Sequence, residues 1–394
     1  MKLFKSLLVA PAALGLLAPM TATANELNLN DVSGYSSSEE VQNISEFNSA
    51  DLAVTNSRVD GLEARLNDYE AGSFSTTTSA SFSVDMAIGA VDGNASETVS
   101  TAYGYQIDLS TSFTGEDALS VSLDAGSGAS SLGELDLNSS GDGLIVDGIT
   151  YSFPVGEKLT VLVGDSTDGS ALYSTACVYG GFTNTLDDCG NASSAFTSPA
   201  NGATLSASYD IGNGFTGALG YAGEGTTDGL MTKAGTDMFG GQLSYAADTY
   251  GVSVTYANIE DAANSYATGT GTPEYLNETS YWGLNAYWTP ESTGSVPSIS
   301  VGYESGDVEG SETTDTTQWF VGLQWDEVGP GTFGVAAGSK GATVENADEL
   351  MAYEAFYSYP VNDGMTITPA VFIMENATGT DDETGIVVKT SFSF

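Results

Sequence analysis

Cys177 and Cys189 are the two cysteines of the chain, and they bracket the segment VYGGFTNTLDD. In an oxidising compartment such a pair forms a disulfide, and closing a loop of this size restricts the open ensemble by roughly 3 kcal/mol in the entropic model. A second candidate lies upstream. In DLNSSGDGLIVD, residues Asp136, Asn138, Ser140, Gly141 and Asp142 sit at the offsets of a calcium-binding loop. Asp147 stands in place of the twelfth-position glutamate and Gly143 in place of an apolar residue, and no helices flank it. The stretch therefore reads first as an acidic loop, with calcium as the weaker alternative. The chain has no histidine. That removes the commonest general base and metal ligand, and with them triad and zinc-hydrolase chemistry. No catalytic set, resident metal or cofactor is expected.

The elements that must hold these residues begin after a leader. Lys2 and Lys5 precede the apolar run LLVAPAALGLL, and Ala22-Thr23-Ala24 is a small-residue cleavage site. Residues 1–24 thus read as a secretory signal peptide, with the mature chain starting at Asn25. No later stretch has the roughly 20 apolar residues of a membrane helix, so any membrane crossing must use strands. The formal charge of −44, from 52 acids and 8 bases, repels nucleic acid. Disorder is the simple alternative for an acidic, Gly/Ser-rich chain, but 41% hydrophobic content and an ordered pattern argue against it.

That pattern has a period of two from Phe74 onward. Phe74, Thr76, Thr78, Ala80, Phe82, Val84, Met86 and Ile88 alternate with small polar residues, and similar runs recur to the C-terminus. They give about 16 strands. Connectors alternate in length: TGED, PVGE, DIGNG and PVNDG are tight, while residues 126–143 and 305–317 form long polar segments. Short turns on one end and long loops on the other belong to outer-membrane barrels, whereas Greek-key sandwiches do not sort their links this way. Trp282/Trp288 and Trp319/Trp325 repeat a spacing of six on the apolar face. Six residues rise roughly 15 Å along the normal after tilt, enough to reach both interfacial girdles. The fold expected is all-β, a transmembrane antiparallel barrel over residues 73–394. Its last strand, IVVKTSFSF, pairs with the first so that no edge is left in lipid.

Upstream, Leu52, Val59, Leu62, Leu66 and Tyr69 fall at heptad a/d positions. Residues 51–72 are read as a short coiled-coil helix, which is too short to stand alone and favours self-association. Residues 25–50, rich in Ser, Asn and Glu, are read as a periplasmic arm.

The run NSRVDGLEARLNDYEAGSFSTTTSASF, Asn56–Phe82, closely resembles the junction in cyanobacterial outer-membrane porins, the carbohydrate-selective and iron-uptake type. There a coiled coil of the form RVDxLEAR runs into a first strand opening FSTTT. Such proteins usually carry an S-layer-homology domain ahead of the coiled coil, and residues 25–50 are too short for one. The resemblance implies a passive outer-membrane channel for small hydrophilic solutes, sugars and inorganic ions. It also implies a homotrimer embedded in outer-membrane lipid, with Phe394 read as a signal by the assembly machinery. A structural tether between membrane and cell wall is the alternative function. As in general porins, the third long loop would then fold inward, with Phe182, Asp187 and Asp188 as candidates for the constriction; the alternative is a stapled external loop that touches nothing in the pore. The polar strand face becomes the lumen: Ser206, Ser208, Gln242, Ser244, Gln318 and Gln324, with charges at Asp85, Asp108, Asp124, Glu304, Glu354 and Lys389. Tyr287, Phe320, Phe356 and Phe372 hint weakly at an aromatic slide for sugars. Beyond the leader only Arg58, Arg65, Lys158, Lys233, Lys340 and Lys389 are basic, which implies weak cation selectivity.

Overall fold

The computed structural model describes residues 78–394, apart from 95–96, 129, 136, 139, 188, 190–201, 225–228, 233–234, 261–278, 292–294, 309–314 and 377–379. The leader, the arm and the coiled-coil helix therefore lie outside the described residues.

Sixteen strands close into one antiparallel barrel. They are β1 (Thr78–Asp92), β2 (Ser100–Thr111), β3 (Ala118–Gly126), β4 (Ile145–Val155), β5 (Leu159–Asp165), β6 (Gly202–Gly212), β7 (Phe215–Glu224) and β8 (Asp237–Ala246). The second half is β9 (Tyr250–Glu260), β10 (Thr279–Trp288), β11 (Ser298–Val308), β12 (Thr316–Val328), β13 (Gly331–Ser339), β15 (Met351–Asn362), β16 (Met365–Met374) and β17 (Glu383–Ser393). The two-residue β14 (Thr343–Val344) merely extends the ladder beyond β12. Each barrel strand pairs with its sequence neighbours, and the seam is β1 with β17, from Ser83↔Ser393 to Asp92↔Thr384. At that seam the Phe82 and Phe394 amides exchange bonds of 2.9 and 3.0 Å, and their rings stack at 5.6 Å. The terminal residue is thereby tied down.

The side-chain period of two decides which face is which. Met86, Ile88, Leu219, Leu243 and Trp282 are exposed on the outside, whereas Ala87, Val91, Ala218 and Asn285 are buried on the inside. A solvated sheet would not carry such an apolar band outward, and lipid makes it favourable. Trp282 lies 5.0 Å from the Tyr256 ring, and the Trp319 indole donates to Glu349 in the loop after β13. The Trp325 ring lies 5.7 Å from that of Phe333, tilted to it, beside the β12–β13 turn at the opposite end. Residues 305–308 and 316–317, read from sequence as loop, belong to β11 and β12. Their polar side chains need not face lipid, because the ladder runs on past the apolar band.

Candidate functional site

The inside of the barrel is not empty. The described residues of the segment after β5 (166–187 and 189, within loop 3) turn inward and lie along the inner wall, held by that wall's polar side chains. The Ser174 amide donates to Gln242 Oε1 at 2.7 Å, and Gln242 Nε2 donates back to the Ser174 carbonyl. The Val178 amide reaches Ser300 Oγ at 3.0 Å, and the Gly180 amide reaches Gln324 Oε1 at 3.0 Å. Asn285 Nδ2 donates to the Cys189 carbonyl at 3.1 Å. These contacts come from β8, β11, β12 and β10 in turn, so the loop is fixed along the arc of wall from β8 to β12.

The strongest anchor is Glu354 on β15. Its carboxylate is 4% exposed and accepts four bonds from loop 3. The donors are the Tyr179 hydroxyl (2.8 Å), the Phe182 amide (3.0 Å), the Thr183 amide (2.8 Å) and the Thr183 hydroxyl (2.5 Å). A buried carboxylate must be compensated in this way or it costs several kcal/mol. Burial, and then the neighbouring Glu354 charge, push the Tyr179 hydroxyl well above its usual range, so it stays protonated and donates. The Tyr179 ring fits because Gly322 lies beneath it: a Cβ there would come within 2.6 Å of Tyr179 Cγ.

Around this anchor the packing is apolar. Tyr179, Phe182 and Leu186 of loop 3 form one buried cluster with Phe320, Phe356, Phe372, Met374 and Val387 of the wall. A second segment joins it: residues 127–144 (loop 2), with Leu132, Leu135 and Leu137 buried. On the side of β3 and β4 a polar cavity of about 330 Å³ remains, lined by Ser120, Ser122, Asp147, Thr150, Thr167 and Asp168 among others.

The sulfurs of Cys177 and Cys189 are bonded, with Cα atoms 6.1 Å apart. The bond closes the stretch that carries Tyr179, Phe182 and Thr183 onto Glu354. Phe182 is 5% exposed and turned to the wall, 6.3 Å from the Phe356 ring. Asp187 is exposed, and Asp188 lies outside the described residues. Asp85, Asp108, Glu354 and Lys389 all sit at inward positions. Lys389 Nζ is 3.8 Å from Asp85 and 5.6 Å from the Phe182 ring centroid. Asp108 accepts from Gln106 and Ser122. In loop 2, Ser140 Oγ accepts from the Gly126 amide, and Asp142 accepts from Tyr103 at 2.6 Å. Asn138 Nδ2 donates to the Tyr105 carbonyl. Those side chains tie loop 2 to the strand ends. Asp136 lies outside the described residues, and among those described no group of three or more metal-ligating side chains is gathered.

Three features were not legible in the sequence. Gln242, Gln324 and Glu354 face inward as their period requires, but they hold loop 3 instead of facing open solvent. Phe320, Phe356 and Phe372, at 2%, 6% and 1% exposure, are the floor beneath loop 3 and not an aromatic slide. The inward fold of loop 2 also went unread. Three leucines within six residues of an otherwise polar loop were the available signal, because a fully solvated loop gains nothing from them.

The model of the carbohydrate-selective porin, OprB family, matches residues 37–394. An uncharacterized Nostoc protein, alr4550, is 28% identical over 442 residues, covering 95% of this chain and 74% of its own length. Among solved structures, Pseudomonas putida OprB is similar at a TM-score of 0.60 and 12% identity, over 81% of this chain and 94% of its own. Salmonella typhi OmpF gives 0.56 and 11%, over 80% and 97%. An anion-selective porin from Comamonas acidovorans gives 0.55 and 15%, over 81% and 99%. At these identities the structural likenesses speak to the fold alone.

Proposed function

The chain belongs to the carbohydrate-selective porin, OprB family, and we propose that this outer-membrane porin passes small hydrophilic solutes, neutral sugars and inorganic ions with a weak preference for cations. It is a channel and not an enzyme. The observation that carries the selectivity reading is Lys389: among the described residues it is the one cation at an inward strand position, and Asp85 sits 3.8 Å away. Acids dominate elsewhere, with Asp108, Asp147 and Asp168 beside the polar cavity and Asp307, Asp315, Asp381, Asp382 and Glu383 toward the long-loop end. A mouth of one sign concentrates counter-ions, and salt screens the effect within about 8 Å at physiological strength. Hydroxyl-rich walls give hydrated solutes weak, replaceable bonds, which favours passage over trapping.

In this reading loop 3 is the constriction, stapled by Cys177–Cys189 and anchored by Glu354. Asp187 and Asp188 border the opening, and Phe182 holds the loop to the wall. Residues 1–24 are the leader, 25–50 a periplasmic arm and 51–72 a coiled-coil helix that supports a homotrimer in outer-membrane lipid. Phe394, bonded at the seam, is the signal read by the assembly machinery. Removing it should leave unassembled chain in the periplasm, and normal membrane yield without it would reject that role. The direct test of solute passage is swelling of liposomes containing the protein in iso-osmotic monosaccharide. Swelling no faster than in protein-free liposomes would reject the proposal.

A further inference from the structure

The outer wall carries a polar site that the bore does not use. On β8, Asp237 shares a face with Phe239 and Leu243, which are exposed on the outside. Across the ladder Phe239 pairs with Tyr221 of β7 and Asn258 of β9, so Asp237, Tyr221 and Asn258 all lie on that outer face at the long-loop end. Yet Asp237 and Asn258 are only 6% and 2% exposed. The loop between β7 and β8 (loop 4) reaches Asp237, because its Met231 amide donates to Asp237 Oδ1 at 3.0 Å. The Tyr221 hydroxyl donates to the same oxygen. Gly223, the register partner of Asp237, makes room for this, since a Cβ there would lie 2.5 Å from Oδ1.

Two oxygens are left over. Among the described residues neither Asp237 Oδ2 nor Asn258 Oδ1 has a hydrogen-bond donor, although both atoms are buried. Ser280 of β10 accepts from Asn258 Nδ2 at 3.2 Å and so fixes the amide with Oδ1 on its other side. Asp237 and Asn258 are diagonal neighbours on one sheet face, within reach of a shared ligand. A buried carboxylate without a compensating charge costs several kcal/mol. No described lysine supplies one: Lys158 lies at the short-turn end, Lys340 bonds Asn376, and Lys389 pairs with Asp85 in the lumen. Water could donate to either oxygen but would leave the charge uncancelled. Two unmet hard oxygens, one of them charged, suit a divalent cation that keeps water at its other positions.

We propose that Asp237 Oδ2 and Asn258 Oδ1 bind a hard divalent cation, calcium or magnesium, on the outer wall, and that this ion fastens loop 4 to β8 and β9. The site faces away from the bore, so it stands or falls apart from solute passage.

Terbium, a luminescent stand-in for calcium, tests this in the purified full chain folded in detergent, because Tyr221 is bonded to Asp237 and can sensitise an ion held there. Wild type should give tyrosine-excited emission that calcium competes away. Asp237→Asn should lose that signal, Asn258→Asp should bind terbium more tightly through its added charge, and Asp363→Asn, in the turn between β15 and β16, should match wild type. Proteinase K should cut loop 4 faster in chelator than in calcium for wild type, and equally fast in both for Asp237→Asn. Equal emission from wild type and Asp237→Asn would overturn the site. Loop 4 cleavage indifferent to calcium in wild type would overturn the fastening. Should Asp237→Asn fail to form a barrel, Asn258→Asp decides, and wild-type affinity in it overturns the proposal.

Discussion

Glu354→Ala removes the acceptor of four bonds in one step, and the structure allows its effect to be sized. Bonds to a charged acceptor contribute roughly 1.5–3 kcal/mol each, and stranding a buried donor costs about 1–3 kcal/mol. The four are not additive, because they share one carboxylate and water can enter from the lumen. A loss of about 3–5 kcal/mol in docking of the loop is therefore expected, in line with breaking a buried charged partnership. Each 1.4 kcal/mol is a factor of ten, so the undocked population of residues 179–187 should rise by about a hundredfold to a few thousandfold. Upstream, the bonds from Gln242 and Ser300 remain, as does the Cys177–Cys189 staple. The barrel ladder is untouched, so the change is local. Hydrogen exchange should show lost protection at the Phe182 and Thr183 amides, and single-channel records should show a noisier, larger current. Glu354→Gln keeps one oxygen but turns an NH₂ group toward a Thr183 donor, and should fall between. Wild-type protection at those amides and wild-type noise in Glu354→Ala would refute the reasoning.

Three further outcomes follow from separate contacts. Cys177→Ser should broaden the distribution of single-channel currents by unstapling loop 3, and unchanged conductance and gating would place the staple outside the solute path. Asp117, in the turn between β2 and β3, accepts from Tyr151, Thr114, Ser112 and the Phe113 amide, and the Tyr151 hydroxyl leads in holding its carboxyl well below the usual range despite opposing burial. A depressed folded-state pKa stabilises above the unfolded value near about 3.9 and is lost as pH falls toward the folded one, so urea midpoints of wild type and Asp117→Asn should differ at neutral pH and converge in strong acid. An equal gap at both ends would contradict this. The heptads of residues 51–72 should give a trimer by mass in mild detergent, and a monomer with that segment intact would count against it.

The barrel was legible because its physics is local. Alternation along Phe82–Ile88 and Ile386–Phe394 fixes which side chains meet lipid, and connector length fixes which end carries the loops. Strand positions followed from the same period, even for short segments such as β5. The interior was legible only as far as direction: Glu354, Gln242 and Lys389 do point inward. What they meet depends on where loops 2 and 3 come to rest, through contacts such as Thr183 to Glu354 across 171 residues of sequence. No period encodes that. Hints lay in misplaced apolar residues, Leu132, Leu135 and Leu137 in one loop and Tyr179 and Phe182 in the other. Each is ordinary alone, and only the closed barrel brings them together.

The proposed cation preference rests on Lys389 being matched by Asp85 and on acids outnumbering Lys340 toward the long-loop end among the described residues. Reversal potentials across a planar bilayer in a potassium chloride gradient test this most directly. The account predicts a current through the purified protein with a modest preference for potassium over chloride that grows as both solutions are diluted. A chloride preference at low salt would contradict it.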